Sequence, residues 1–157
     1  MESIVRSHLE RAVRLACDSA RGGGGPFGAL VARGAEVLGE GSNRVTLDRD
    51  PTAHAEVIAI RAACAKLGTH VLADATLYTS CEPCPMCLSA AWWARVERVV
   101  YCATRAEAAA AGFDDERLYL EVQLPLEQRE LPLENALPHL ADEPFRAWRD
   151  NARRVPY

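Results

Sequence analysis

The sequence predicts an α/β fold, in which helices pack on a β-sheet. Helical and strand-like segments alternate along most of the chain, an order typical of sheets covered by helices. Apolar side chains recur at helical spacing over residues 2–21, and the run Gly22–Gly25 ends that helix. Two short apolar runs within residues 28–40 surround Arg33-Gly34-Ala35, which predicts a hairpin.

The middle of the chain continues this alternation. Gly68 follows an apolar-periodic segment and is a typical helix C-cap, and a proline opens the segment after Cys81, where a first helical turn tolerates it. The predicted elements are strands over 75–80 and 98–103 and helices over about 53–67, from Pro83 or Pro85 to Arg95, and over 104–112.

The chain changes character after Leu124. Prolines recur every six or seven residues from Pro125 to Pro144, and this spacing interrupts any long helix. We therefore predict a single domain over residues 1–157, in which residues 125–157 form an extended arm. The arm is expected to hold a short strand near 129–133 and a terminal helix anchored by Phe145 and Trp148.

Composition limits the class of protein. A chain of 157 residues suggests one domain, and its net charge of −4 argues against nucleic acid as the main partner. No apolar run is long enough for a membrane span, and the amphipathic start lacks the features of a signal peptide, so a cytoplasmic protein is expected. Six cysteines in a reducing compartment indicate metal binding, catalysis or burial rather than disulfides.

Three cysteines stand at three-residue intervals in the stretch TSCEPCPMCLSA, residues 79–90. Cys84 and Cys87 open a predicted helix, whose N-terminus favours thiolates, and their spacing lets both sulfurs face one point. His54, which begins another helix, completes a set of three zinc ligands and leaves a fourth position for water. Cys81 is interpreted as a buried neighbour, and a closed structural site of Cys81, Cys84, Cys87 and His54 is the alternative.

Glu56 follows His54 by two residues and is predicted to overhang the open side of the metal. Two thiolates cancel the charge of Zn²⁺, so a water at the metal loses its proton less readily, and a carboxylate is needed to accept it. The pattern His54-Ala55-Glu56 followed by Pro83-Cys84-Pro85-Met86-Cys87 is the H-x-E…P-C-x-x-C signature of zinc deaminases that act on nucleobases. The other cysteines, Cys17, Cys64 and Cys102, are interpreted as core residues.

These motifs resemble the cytidine deaminase superfamily, and more closely its bacterial guanine deaminases. The resemblance covers nearly the whole chain and rests on GGPFGAL, DPTAHAEVIAIRAAC, LYTSCEPCPMCLSA, AGFDD and the terminal FRAW…Y. It implies a three-layer α/β/α sandwich around a mixed sheet of about five strands, with one Zn²⁺ per subunit. The implied reaction is hydrolytic deamination of guanine at C2, which yields xanthine and ammonia as part of guanine catabolism.

The resemblance also implies a role for individual residues. Glu56 would shuttle protons, and Asp115 would contact the substrate and assist that transfer. The substrate-binding positions would be Asn43 and the Ala55 backbone on the edge of the base, Phe27 and Trp93 beside its ring, and Tyr157 as a lid. Tyr157 would come from the C-terminal arm of a partner in a domain-swapped homodimer.

A structural role remains the alternative for each of these positions. Asn43 could instead be a turn residue, and Asp115 a helix cap. Phe27 and Trp93 could be core residues, and Trp92 could line the pocket in place of Trp93. Tyr157, at the end of the sequence, could have no role in the site. For the whole protein the alternatives are a tRNA adenosine deaminase, a deaminase of another small ring (cytosine, a guanine nucleoside or an aminotriazine), and a non-catalytic zinc module.

Overall fold

The computed structural model describes residues 2–113 and 115–157. The chain divides into two compact units, Met1–Leu120 and Glu121–Tyr157. Across the described residues, none of the helices combines the length and the apolar character that a membrane crossing requires.

The first unit contains a mixed sheet of four strands. In chain order they are β1 (Gly28–Arg33), β2 (Glu36–Ser42), β3 (Thr76–Cys81) and β4 (Arg98–Ala103). Their order in the sheet is β2-β1-β3-β4, with β1 antiparallel to both of its neighbours and β3 parallel to β4. Central strands β1 and β3 are almost entirely buried, whereas β4 is an edge strand with several exposed side chains.

Six helices begin in the described part of the first unit, and the bounds of the four that were expected are close to the predicted ones. They are α1 (Glu2–Arg21), α2 (Val45–Asp48), α3 (Ala55–Leu67), α4 (Pro85–Trp93), α5 (Arg105–Ala110) and α6 (Asp115–Glu121). Gly68 caps α3 in a left-handed conformation and donates its N–H to the Cys64 carbonyl. The sequence patterns did not predict the short helix α2 or the helix α6.

Helices cover both faces of the sheet, so the predicted three-layer arrangement is confirmed. On β1, Leu30 faces a cluster that includes Leu9 of α1, whereas Val31 faces a cluster that includes Ala59 of α3 and Ala91 of α4. Alternate residues of one strand therefore contact helices on opposite sides, as the period of a strand requires.

The predicted fifth strand is wrong, because the sheet has four. Within Glu121–Tyr157 the structure has two 3-10 turns, Leu126–Gln128 and Pro138–Leu140, and a helix α7 (Glu143–Asp150), but no strand. Arg129 has extended dihedrals, yet an extended segment becomes a strand only when it pairs with a neighbour. Pro125 and Pro132 also remove backbone donors on either side of it.

The interpretation of three further cysteines as core residues is wrong for two of them. Cys17 and Cys102 are exposed, and Cys64 is partly buried. Cys102 lies on the edge strand β4, which has a paired neighbour on one side only. An edge position removes the burial that a similar apolar run gains in the middle of a sheet.

Helix α3 lies unusually close to β2, and this contact positions the residues at its first turn. A β-carbon at Gly41 would lie 2.3 Å from the carbonyl oxygen of Ala55 and 2.8 Å from the Ala59 nitrogen. Only glycine allows that approach, so Gly41 sets how near the start of α3, with His54 and Glu56, comes to the sheet.

Candidate metal centre and active site

Two helix N-termini bring together the three predicted zinc ligands. His54 is the N-cap of α3, Cys84 is the N-cap of α4, and Cys87 lies in the first turns of α4, where it is fully buried. The His54 Nδ1 atom lies 3.7 Å from Cys84 Sγ and 3.5 Å from Cys87 Sγ. Among the described residues, these form the group of three or more candidate donors that could hold a metal ion.

The donor geometry fits zinc. Tetrahedral coordination with Zn–S and Zn–N bonds of about 2.3 and 2.1 Å places the nitrogen and each sulfur about 3.6 Å apart. The two observed separations, 3.7 and 3.5 Å, bracket that value. Three protein donors of the Cys₂His type also match a catalytic zinc site, which keeps one coordination position for water or substrate.

The pKa values of the Cys84 and Cys87 thiols are shifted in opposite directions. The hydrogen bond from Cys87 lowers the pKa of Cys84 to about 4, and His54 contributes in the same direction. The pKa of Cys87 is raised, first because it donates that hydrogen bond and then because it is buried. Two adjacent thiolates repel each other, so the metal-free pair keeps one proton that a bound metal displaces.

Glu56 lies beside this group as a buried carboxyl. Only 5% of the residue is exposed, and its Oε2 accepts a hydrogen bond from Cys87 Sγ at 3.4 Å. Its Oε1 accepts a hydrogen bond from Thr79 Oγ1 at 3.3 Å. Burial is the main cause that raises the pKa of Glu56, and the nearby Cys84 acts in the same direction. Thr79, fully buried on β3, was not predicted as part of the site.

Cys81 lies apart from the three donors. It is buried at the end of β3, and its Sγ donates to the Thr104 carbonyl oxygen at 3.6 Å. The candidate metal group does not include it. An arrangement of this kind leaves the fourth coordination position to a ligand from outside the chain.

A cavity of about 440 Å³ opens next to the donors, a volume within the usual range of small-molecule sites. Its wall includes His54, Glu56 and Cys84, together with Phe27, Asn43, Phe113 and Gly23–Gly25. The structure therefore places the predicted ring-flanking Phe27 and base-reading Asn43 in the same cavity as Glu56.

Phe113 and Gly23–Gly25 are parts of this cavity that the sequence patterns did not identify. The Phe27 and Phe113 rings meet edge to face, with centroids 4.8 Å apart and planes at 79°. Such an arrangement is favourable between aromatic rings and holds Phe27 in one orientation. The sequence signal for Phe113 was its place in AGFDD, in which only Asp115 was given a role.

The remaining predicted site residues are placed as follows. Ala55 is fully buried at the first position of α3, where a backbone N–H has no acceptor within the helix. Trp93 is half exposed at the end of α4, stacks edge to face with Trp92, and does not belong to the wall of the cavity. Asp115 begins α6, but Asp114 and the side chain of Asp115 lie outside the described residues.

Tyr157 belongs to the second unit. Its ring meets Trp148 edge to face, with centroids 6.3 Å apart, and 77% of the residue is exposed. Trp148 is therefore a neighbour of the Tyr157 ring within the second unit.

Fold and site together define a zinc-dependent deaminase. The model of the cytidine and deoxycytidylate deaminase zinc-binding region matches residues 3–103, and the chain belongs to this family. It is 51% identical to the guanine deaminase of Bacillus subtilis (strain 168), over 95% of this chain and 96% of that protein.

A solved structure also resembles this chain closely, and a tRNA adenosine deaminase resembles it less. The X-ray structure of guanine deaminase from Bacillus subtilis superposes with a TM-score of 0.93 at 49% identity, covering 97% of this chain and 98% of that one. The tRNA-specific adenosine deaminase of the same species is 35% identical, over 67% of this chain and 65% of that protein.

Proposed function

We propose that this chain is a zinc-dependent guanine deaminase, which converts guanine and water into xanthine and ammonia. The observation that carries the chemistry is the open His54, Cys84 and Cys87 group with the buried Glu56 carboxyl at its side, in a cavity of small-molecule size. The choice of guanine is supported by the similarity to a guanine deaminase over almost the full length of both chains.

His54, Cys84 and Cys87 would hold the metal in this proposal. A bound Zn²⁺ supplies Lewis-acid chemistry, because it lowers the pKa of water in its open position. Glu56 accepts a proton from the attacking water at a carboxylate oxygen, and the water oxygen bonds to C2 of guanine. Glu56 passes this proton to a ring nitrogen, takes the second proton from the new hydroxyl group on C2, and donates it to the departing amine. The C2–N bond then breaks, C2 becomes a carbonyl and ammonia leaves.

Phe27 and Asn43 orient the base for this attack. The Oδ1 atom of Asn43 accepts the Val45 N–H at 3.3 Å, so its amide group is the end that donates to an acceptor on the base edge. Guanine offers N7 and O6 as acceptors. Phe27, held by Phe113, supplies an apolar face against the ring, and the Ala55 N–H supplies a further donor.

We also infer that the enzyme is a homodimer in which the C-terminal segments are exchanged. Residues 131–157 are all exposed in the single chain, and this segment carries large apolar side chains: Leu131, Leu133, Leu137, Phe145, Trp148 and Val155. Exposed apolar surface of this kind is typical of an interface. In this proposal the exchanged segment brings Tyr157 to the partner's cavity, and Asp115 adds a contact to the substrate.

Two further expectations follow from the same proposal. Guanine deamination assigns the enzyme to purine catabolism. A cytoplasmic location stays a prediction, and the six free thiols of the chain agree with it.

The test is ammonia release by the zinc-loaded enzyme from guanine, adenine, cytosine, guanosine, cytidine and an adenosine-bearing tRNA anticodon stem. We expect release from guanine far above the other substrates. Ammonia release from the tRNA stem alone would indicate a tRNA adenosine deaminase. Release from cytosine or a nucleoside alone would indicate a deaminase of another small ring. No release from any substrate would remove the deaminase assignment.

A further inference from the structure

The glycine run between α1 and β1 is tied to the residue proposed to read the base. Asn43 is 7% exposed and lies where β2 ends. Its N–H donates to the Phe27 carbonyl oxygen at 2.9 Å, and its own carbonyl oxygen accepts from Ser19 Oγ at 2.9 Å. With the Val45 bond to Oδ1, three hydrogen bonds hold both the backbone and the carboxamide of Asn43.

Gly25 packs directly against the side chain held in this way. A β-carbon at Gly25 would lie 2.9 Å from both Cγ and Oδ1 of Asn43, and 3.3 Å from its Cβ. Separations below 3.0 Å are closer than carbon atoms tolerate, so a side chain at this position and the present carboxamide orientation exclude each other.

Gly24, which precedes Gly25, faces the backbone of Asn43 rather than its side chain. Its β-carbon would lie 2.5 Å from the Asn43 carbonyl oxygen and 2.5 Å from Ser19 Oγ, which are the two atoms of one hydrogen bond. A side chain there meets backbone that cannot move aside without breaking the bond between α1 and β2. The obstacle at Gly25 is instead the end of a side chain, which can rotate.

We propose that Gly25 is a positioning residue for substrate recognition: its missing side chain leaves the space that keeps the Asn43 carboxamide in its pocket orientation. This inference rests on the proposed role of Asn43 in binding the base. Gly25 acts through Asn43 and donates nothing itself, although it also forms part of the cavity wall. Gly25 has no left-handed backbone, so alanine fits its main chain and the effect of substitution falls on Asn43.

The experiment compares Gly25→Ala with Gly22→Ala in the zinc-loaded enzyme. Gly22 is a matched control, because it lies in the same run, lacks a positive φ, and its β-carbon would meet only backbone oxygens of α1 at 3.3 and 3.5 Å. We expect Gly25→Ala to keep zinc and folding but to lose about tenfold to a hundredfold in kcat/KM for guanine, the range for loss of a buried hydrogen bond to a ligand. Gly22→Ala should change it less than about twofold.

Two readouts separate positioning from a loss of folded enzyme. Misfolding lowers the active fraction and therefore kcat alone, whereas a rotated Asn43 raises KM. In an Asn43→Ala background, Gly25→Ala should cost less than about threefold, because the group it displaces is already gone. A crystal structure of Gly25→Ala should show the Asn43 carboxamide turned from its present orientation.

Several results would overturn the proposal, and they can be told apart from failure of the assigned function. Wild-type kcat/KM in Gly25→Ala, an equal loss in both backgrounds, or an unmoved Asn43 in the variant structure would each refute it while guanine deamination stands. Full guanine activity in Asn43→Ala would remove the base-reading role of Asn43 and Gly25 together. Absence of guanine deamination in the wild-type enzyme would instead refute the proposed function.

Discussion

The two units of the chain differ in how far they bury the side chains that we assign to the site or to an interface. In the first, Glu56, Cys84 and Cys87 are at most 5% exposed, and hydrogen bonds link all three to one another or to His54. In the second, Phe145 is 63% exposed and Tyr157 is 77% exposed. Burial within the first unit is enough to assemble the metal group, whereas large exposed apolar side chains of the kind seen in the second unit are typical of an interface.

Removing a sulfur from the buried group should have the largest effect. We expect Cys84→Ser to lose zinc and all measurable activity, because a hydroxyl does not replace a thiolate donor and the remaining pair of ligands leaves the site incomplete. Metal content after dialysis, measured by atomic emission, checks this. The exposed thiol variant Cys17→Ser is the matched control.

Cys81→Ser should differ from Cys84→Ser in its zinc content. We expect the variant to retain zinc, because Cys81 donates to Thr104 and lies outside the donor group. Zinc loss in Cys81→Ser would indicate a closed structural site and would contradict an enzymatic role for the metal.

The next largest effect is expected for Glu56→Gln. The amide keeps the size of the side chain but cannot accept a proton, so kcat for guanine should fall by about 10²-fold to 10⁴-fold. Zinc content and thermal stability should be retained. Near-normal turnover in this variant would support the non-catalytic zinc module instead.

Deleting Tyr157 tests the second unit, with an expected loss of about tenfold to a hundredfold in kcat/KM and little change in thermal stability. Co-expression with Glu56→Gln chains decides whether the tyrosine acts on a partner's cavity. If it does, mixed dimers regain one complete site, and random pairing restores about one quarter of the wild-type activity. No recovery on mixing would show that each chain supplies its own tyrosine, and a fully active truncated chain would remove Tyr157 from the site.

Thr79→Val should give the smallest effect. Valine keeps the shape of threonine but removes the hydroxyl that donates to Glu56 Oε1, so a loss of about threefold to tenfold in kcat is expected, equivalent to about 1 kcal/mol. Thr79→Ser, which retains the hydroxyl, is the control. Equal losses in both variants would mean that packing on β3, rather than the hydrogen bond, accounts for the effect.

Local patterns were sufficient to predict most elements of the first unit. The long amphipathic run of α1, the Gly68 cap of α3 and the proline at the start of α4 are signals that depend on neighbouring residues only. The four-residue α2 was missed because it is too short to show a periodic pattern. The expected strand near residues 129–133 was wrong, because strand formation depends on a pairing partner that local sequence does not reveal.

The amino-acid sequence by itself determined the donor types, the metal that they suit and the neighbouring carboxyl, because H-x-E and P-C-x-x-C each place these side chains at a helix start. Tertiary structure alone decided which further residues support the predicted site residues. It brought Thr79 to Glu56, Phe113 to Phe27 and Gly25 to Asn43, and it left Trp93 outside the cavity wall. These contacts join residues far apart in the chain, and their distances depend on how closely helices approach the sheet, which no local pattern encodes.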